Sequence, residues 1–315
     1  INNSFMNKFR FFTLCLLSMF AFAACNSAVE DGGMEEYEGK VNIVATVGMA
    51  ADLAANVGGD NVVVESIMGP GVDPHLYQPS AGDIRLMEDA DIVVYVGLHL
   101  EGKMTELLEE MGKEKKVVAL TESIDEERLV AAADSYEFDP HIWFDVDLWR
   151  GTVSSLEAAL VNFDPDNAEA YSASASRYSR ELEELDKWVN ERVKELPEEQ
   201  RVLITAHDAF EYFGKAYGFE VRGIQGISTA SDYGLKDLEE LIDFVVERKV
   251  KAIFVETSVS DKSIRSLKEG VSAEGHEVVI GGELFSDAMG DSGSEEGTYV
   301  GMVKYNVNTI IDALK

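Results

Sequence analysis

Between Asp164-Pro165-Asp166 and Leu196-Pro197 the chain runs without a glycine or a proline, and no other feature constrains its fold as much. Asp164 followed by Pro165 is a helix start: a cap, then a ring that pre-sets the backbone of the first turn. Tyr171, Tyr178, Leu182, Leu185, Trp188, Val189 and Val193 recur mostly at three-, four- and seven-residue steps, the spacing of one buried helical stripe. Roughly 30 residues at ~1.5 Å each make a rod of about 45 Å, the length of a whole domain. Such a rod is too long for one crossover of a sheet and reads as a spine over 164–197.

On both sides of the spine, short β-rich runs alternate with helical segments. Val41–Met49, Asn61–Met68, Asp91–Gly97 and Lys116–Leu120 are Val- and Ile-rich strands. Ala50–Val57, Ser80–Asp89, Glu101–Gly112 and Phe144–Asn162 are the first half's helices. After the spine, strands are expected at Arg201–Ala206, Glu220–Gln225, Lys251–Glu256 and Glu277–Ile280. The helices there are Ala209–Tyr217, Leu235–Arg248, Lys262–Ala273 and Thr298–Leu314. This order predicts an α/β protein of two lobes, 41–163 and 198–315. Each lobe has a four-stranded parallel sheet flanked by helices, and one long spine helix bridges them. Ligands of open α/β sheets bind beyond the carboxyl ends of the strands, so the cleft between the lobes is the expected site. The spine argues for limited lobe motion.

The first 40 residues are of another kind. Lys8 and Arg10 precede an apolar run, Phe11 to Phe22, then Ala23-Ala24 and Cys25. That is the order of a secretory signal, and a cysteine just after the cut marks its lipoprotein form. The run is about a dozen residues, short of the ~20 that span a bilayer. Residues 1–24 are therefore read as a signal peptide and 25–40 as an acidic tether lipidated at Cys25. The protein is expected outside the cytoplasmic membrane, anchored by lipid in the periplasm or at the cell surface. With Cys15 removed and Cys25 acylated, no thiol is left, so any metal site must draw on histidine and carboxylates. The formal charge of −32 argues against nucleic acid and against anionic membrane surfaces as partners. It attracts cations without selecting among them.

The chain has five histidines. His75 stands in Asp73-Pro74-His75 and His141 in Asp139-Pro140-His141; His207 ends the run Leu203-Ile204-Thr205-Ala206-His207. All three fall at strand ends or in loops on the expected binding edge. Each Asp-Pro step holds its aspartate extended and presents the next imidazole from a stiff backbone. Asp73, Asp139 and Asp208 are placed to accept the other ring N–H and set the tautomer. A fourth ligand is expected near a strand end of the second lobe: Asp287 in Leu284-Phe285-Ser286-Asp287, with Glu256 as its rival and otherwise a candidate for a supporting position beside the ligands. His99 is a candidate for a supporting position, and His276 is expected to face solvent. Trp143 and Phe144 either line the site or pack the core. Gly281-Gly282 and Gly290 would supply permissive backbone around Asp287.

These motifs resemble the metal-receptor family of bacterial zinc and manganese ABC importers, solute-binding lipoproteins of the TroA-like type. The resemblance rests on Gly71-Val72-Asp73-Pro74-His75, Gly97-Leu98-His99-Leu100-Glu101-Gly102 and Asp139-Pro140-His141-Ile142-Trp143-Phe144-Asp145. Thr205-Ala206-His207-Asp208-Ala209-Phe210, Glu283-Leu284-Phe285-Ser286-Asp287 and Gly297-Thr298-Tyr299 continue it, so it covers about Val41 to Lys315. It implies metal ligands at His75, His141, His207 and Asp287. One divalent ion, zinc or manganese, would be the transported ligand, received by an ABC permease with a cytoplasmic ATPase. The receptor is expected to be a monomer and not an enzyme. No histidine-rich loop precedes His141, as zinc-specialised members often have, and His207 stands where manganese-specialised members often have glutamate. Three imidazoles and one carboxylate suit tetrahedral zinc; manganese remains open if Asp287 binds through both oxygens.

Two other readings use the same residues. A zinc hydrolase would need an open coordination position and a general base, for which Glu256 or Glu101 would have to serve. A surface adhesin would keep the fold without transport. Capture requires neutral imidazoles, so affinity is expected to fall as pH drops through about 6.5, the free histidine value.

Overall fold

The computed structural model describes residues 39–132, 137–230 and 233–315; the signal segment, Cys25 and the tether up to residue 38 lie outside the described residues. The first half runs β1 (Val41–Ala45), α1 (Gly48–Gly58), β2 (Val62–Ser66), α2 (Ala81–Asp89), β3 (Ile92–Tyr95), α3 (Thr105–Met111) and β4 (Lys116–Ala119). α4 (Val146–Gly151) and α5 (Val153–Phe163) complete it. Its four strands form one parallel sheet in the order β2-β1-β3-β4. Helices cover such a sheet on both faces, which is why Ile43-Val44-Ala45 and Ile92-Val93-Val94 are apolar without alternation and fully buried.

A 3₁₀ turn at Pro165–Asn167 leads into α6 (Ala168–Val193), a 26-residue helix of about 39 Å at ~1.5 Å per residue. Of the expected stripe, Tyr171, Tyr178, Leu182, Leu185, Val189 and Val193 are buried and Trp188 is half-buried. α6 packs on α1, α4 and α5 of the first half. Tyr178 donates its hydroxyl to Asp52 Oδ2 of α1 at 2.8 Å.

The second half runs β5 (Val202–His207), α7 (Glu211–Tyr217), β6 (Glu220–Gln225), α8 (Leu235–Arg248), β7 (Ala252–Glu256), α9 (Lys262–Ala273), β8 (Val279–Leu284) and α10 (Tyr299–Leu314). α6 also packs on α10. β5 pairs with β6 and β7 with β8, both in parallel, and β5 lies beside β7. Where β5 and β7 meet, the amide of His207 donates to the Glu256 carboxylate at 2.9 Å instead of to strand backbone. The second half's four strands form two two-stranded ladders side by side, where one four-stranded sheet was expected.

Three segments differ most from the sequence reading. The helix expected over Phe144–Asn162 is two helices. At their junction the Thr152 hydroxyl donates back to the Trp149 carbonyl at 2.8 Å. The helix expected from Glu101 starts at Thr105, because Gly97, Leu98 and His99 all have positive φ and Glu101 is tied into that turn. Its carboxylate accepts from Val96 N, Gly97 N and the Thr46 hydroxyl. The last strand reaches Leu284, past the expected Ile280, and takes in Gly281-Gly282. These glycines do not loosen a loop around Asp287. A Cβ at 281 would stand 2.7 Å from Ala313 Cβ, and one at 282 would stand 2.4 Å from Thr309 Cγ2. They let α10 lie close on β8. His276 precedes this strand, half-buried, with Nε2 2.8 Å from the Val250 carbonyl.

One apolar cluster runs from the first sheet through α6 to Leu203, Phe210, Phe254 and α10; a second, smaller one fills the space between the second half's strands and α8 and α9. Gly39–Lys315 is accordingly one compact unit, with no break in the core at either end of α6.

Candidate metal centre

Each strand that feeds the site delivers one polar residue at its carboxyl end. β5 ends on His207 and β7 on Glu256; Asp287 follows β8 by three residues. His75 stands in the connection after β2, and His141 opens a 3₁₀ turn, Ile142–Phe144. All four candidate ligands are buried, with relative exposures of 3% for His75, 0% for His141 and His207, and 1% for Asp287.

The four meet at one point. His75 Nε2 lies 3.2 Å from His141 Nε2. Asp287 Oδ1 lies 3.3 Å from His141 Nε2, and Oδ2 lies 3.3 Å from His207 Nε2 and 3.9 Å from His75 Nε2. One donor atom from each lies within 4.8 Å of every other. A tetrahedral ion at ~2.0–2.1 Å from each donor sets the donors about 3.3–3.4 Å apart, close to these spacings. His75 Nε2 and His141 Nε2 are within hydrogen-bond reach of each other, but His207 Nε2 and both oxygens of Asp287 make no hydrogen bond among the described residues. Buried acceptors are normally satisfied. Several turned toward one point are a donor set that a cation completes.

The supporting contacts divide the aspartates that sequence reasoning grouped together. Asp139 Oδ1 accepts the backbone N–H of His141 at 2.9 Å and lies 2.6 Å from its Nδ1. Asp73 Oδ1 accepts only the backbone N–H of His75, also at 2.9 Å, and His75 Nδ1 has no hydrogen bond. The other Asp73 oxygen accepts the Thr229 hydroxyl from the second half at 2.5 Å. His207 Nδ1 meets Glu256 Oε2 at 2.5 Å, not Asp208. Asp208 lies just past the end of β5, and its buried Oδ1 makes no hydrogen bond among the described residues. Glu256, the rival fourth ligand, is thus occupied in orienting His207, and Asp287 has its oxygens free. Half-buried Asp208 is pushed up to about 7 by burial, with Glu211 and Asp139 adding repulsion. His99 is exposed and lines a surface cleft with Tyr95, Glu122 and Glu126, apart from the buried four.

These surroundings drive the rings apart. Burial takes His75 down to about 3, with Asp287 opposing. For His141 burial also favours the neutral ring, but Asp139 and Asp287 outweigh it and raise the group to about 9. His207 is raised well above its ordinary value because Glu256 and Asp287 together outweigh its burial. Asp287 is held far below the usual carboxylate range: burial opposes ionisation, and the His207 and His141 rings overcome it. In place of the single value near 6.5 expected for capture, two rings are shifted upward and one downward.

Sequence reasoning missed Thr229 and Tyr212. Tyr212 on α7 donates to the Asp139 carbonyl at 2.8 Å and accepts from Val130 N at 3.1 Å, so the second half steadies the turn that carries His141. Nothing in the sequence marks either residue: a threonine in a loop and a tyrosine on an apolar helix face are ordinary.

Comparisons with known proteins agree with this architecture. Residues 43–313 match the family profile described as "ZnuA: Zinc-uptake complex component A periplasmic". The manganese-binding lipoprotein MntA of Bacillus subtilis is 47% identical over 300 residues, 95% of this chain and 97% of the relative. The zinc-binding protein TroA of Treponema pallidum is 47% identical over 277 residues, 88% and 90% of the two chains. Its solved structure superposes with a TM-score of 0.85, covering 88% of this chain and 99% of that one. With a profile matched from first strand to last helix and relatives this similar, the chain belongs to the ZnuA family of metal-binding receptors of bacterial ABC importers.

Proposed function

We propose that this chain captures one divalent metal ion, zinc or manganese, outside the cytoplasmic membrane and delivers it to an ABC permease driven by a cytoplasmic ATPase. His75, His141, His207 and Asp287 are the ligands, and the ion is cargo. The observation that carries the reading is the convergence of four buried donors on one point, with His207 Nε2 and both Asp287 oxygens making no hydrogen bond among the described residues. Asp139 and Glu256 hold the rings of His141 and His207 with Nε2 turned inward. Cys25 would carry the lipid anchor, with the receptor a monomer at the end of its tether.

The relatives' names leave the metal open, since a manganese-binding and a zinc-binding protein are equally similar. The donor set leans to zinc: three nitrogens and one oxygen fill a tetrahedron, and zinc outranks manganese on nitrogen ligands. Both oxygens of Asp287 face the site, which would allow the fifth donor that manganese prefers. Four protein ligands leave no open position for an activated water, which supports a receptor over a hydrolase. An unbroken apolar core across both halves supports small rather than wide motion on binding.

The test is elemental analysis of protein purified from its native host, with zinc and manganese competition measured by calorimetry. One ion per chain, lost in His141→Ala and His207→Ala, is expected. Stoichiometric binding that survives both substitutions would refute the site. Small-angle scattering with and without metal should show a nearly unchanged radius.

A further inference from the structure

We infer that Trp143 is a positioning residue that ties His141, the ligand of the first half, to the loop carrying Asp287 in the second. The inference rests on the ligand assignment proposed above and goes beyond it. The Trp143 ring meets the His141 ring edge to face, with centroids 5.2 Å apart and planes at 69°. Its indole Nε1 donates to the carbonyl of Ser286, the residue before Asp287, at 3.0 Å. Its own carbonyl accepts the hydroxyl of Tyr299, from the first turn of α10, at 2.7 Å. Trp143 is fully buried. One side chain thus touches a ligand ring of one half and the backbone next to a ligand of the other.

Its neighbour repeats the arrangement toward the remaining ligand strand. Phe144 stacks on Phe210, with centroids 4.1 Å apart, three residues beyond His207. The short turn Ile142–Phe144 therefore sends one ring to each of the two ligand loops of the second half. The Ser286 hydroxyl lies 2.9 Å from that of Ser258, so the Asp287 loop is also braced from beyond β7. A packing residue would need the volume of Trp143 but not its N–H. The N–H is aimed at the one carbonyl whose displacement would carry Asp287 away from His141. Loss of this tether should leave ligand identity intact and let the ion leave faster.

Trp143→Phe keeps an aromatic edge toward His141 and removes the donor. In full-length protein loaded with zinc, release into excess chelator should speed up by about tenfold, the scale of one buried hydrogen bond, with the association rate unchanged. Trp188→Phe, on α6, should release zinc like the wild type. A folded Trp143→Phe protein with wild-type release overturns the inference and leaves the metal site standing. A wild-type protein that takes up no zinc overturns both. Should Trp143→Phe not fold, the double variant Trp149→Phe with Trp188→Phe leaves Trp143 as the last of the three indoles. Its emission should change until one zinc per chain is bound, because the ion is held by the ring it packs against. Emission indifferent to zinc overturns the inference.

Discussion

Asp73-Pro74-His75 and Asp139-Pro140-His141 are the same tripeptide, in the same chain, with opposite electrostatics. In both, the aspartate accepts the backbone N–H of the histidine at 2.9 Å, so the local turn repeats. Beyond that they part. Asp139 also reaches the ring of His141, and the pair raises that ring to about 9. Asp73 turns its second oxygen to Thr229, leaves the ring of His75 alone, and burial takes that ring down to about 3. The lesson is that the tripeptide sets where an imidazole stands, and its tertiary neighbours set whether it carries a proton.

Removing either ring should have the largest effect and ignore the difference. If a four-ligand site is worth ~10–16 kcal/mol, one donor accounts for roughly 3 kcal/mol, on the order of a hundredfold in affinity or more. His75→Ala and His141→Ala should both reach that scale by calorimetry; a mild His75→Ala would show that only one of the two turns is a ligand turn.

The pH dependence comes next and separates the turns. Capture must expel the protons that His141 and His207 hold, so affinity should rise from pH 6.5 toward 9, about tenfold per unit for each proton released. Proton release at pH 7.5, measured in buffers of different ionisation enthalpy, checks it. A plateau above pH 7 would mean the rings titrate like free histidine. The metal-free protein should show the opposite sign. The raised values of His141 and His207 contribute stability that is full below about 6.5 and lost as pH rises through the folded values, about 9 for His141. The lowered value of Asp287 contributes stability above its ordinary ~3.9, lost as pH falls through its folded value.

Neutralising the two aspartates sharpens the contrast. Asp139→Asn should cost ~10–100-fold in affinity and flatten the pH profile, since His141 loses its anion. Asp73→Asn should cost less and leave the profile unchanged, because His75 is already neutral. The smallest effect is expected for Thr229→Val, about two- to tenfold from one hydrogen bond, seen as faster metal release. Equal effects of the two asparagine variants would erase the distinction between the turns.

Much of this was legible because it rests on local periodicity. The α6 stripe, the Leu235–Arg248 and Lys262–Ala273 helices and the Glu220–Gln225 strand stand where spacing and composition put them. Boundaries moved where one side chain overruled its segment, as Thr152 does between α4 and α5 and Glu101 does before α3. The glycines of β8 were misread because tolerance of an odd backbone and permission for close approach look alike in a sequence.

The sequence by itself determined the alternation of strand and helix, the long central helix, and that His207 ends a strand while His75 and His141 stand in loops. These depend on residues within a few positions of one another, and periodicity records them. Only the tertiary structure decided that Glu256, and not Asp208, is the group that supports His207, that Thr229 takes Asp73 away from its histidine, and that the core runs unbroken between the halves. Those outcomes belong to groups 49 and 156 residues apart, brought within hydrogen-bond reach by the packing of strand ends. Proton affinities inside a buried site follow from such neighbours, which no local pattern encodes.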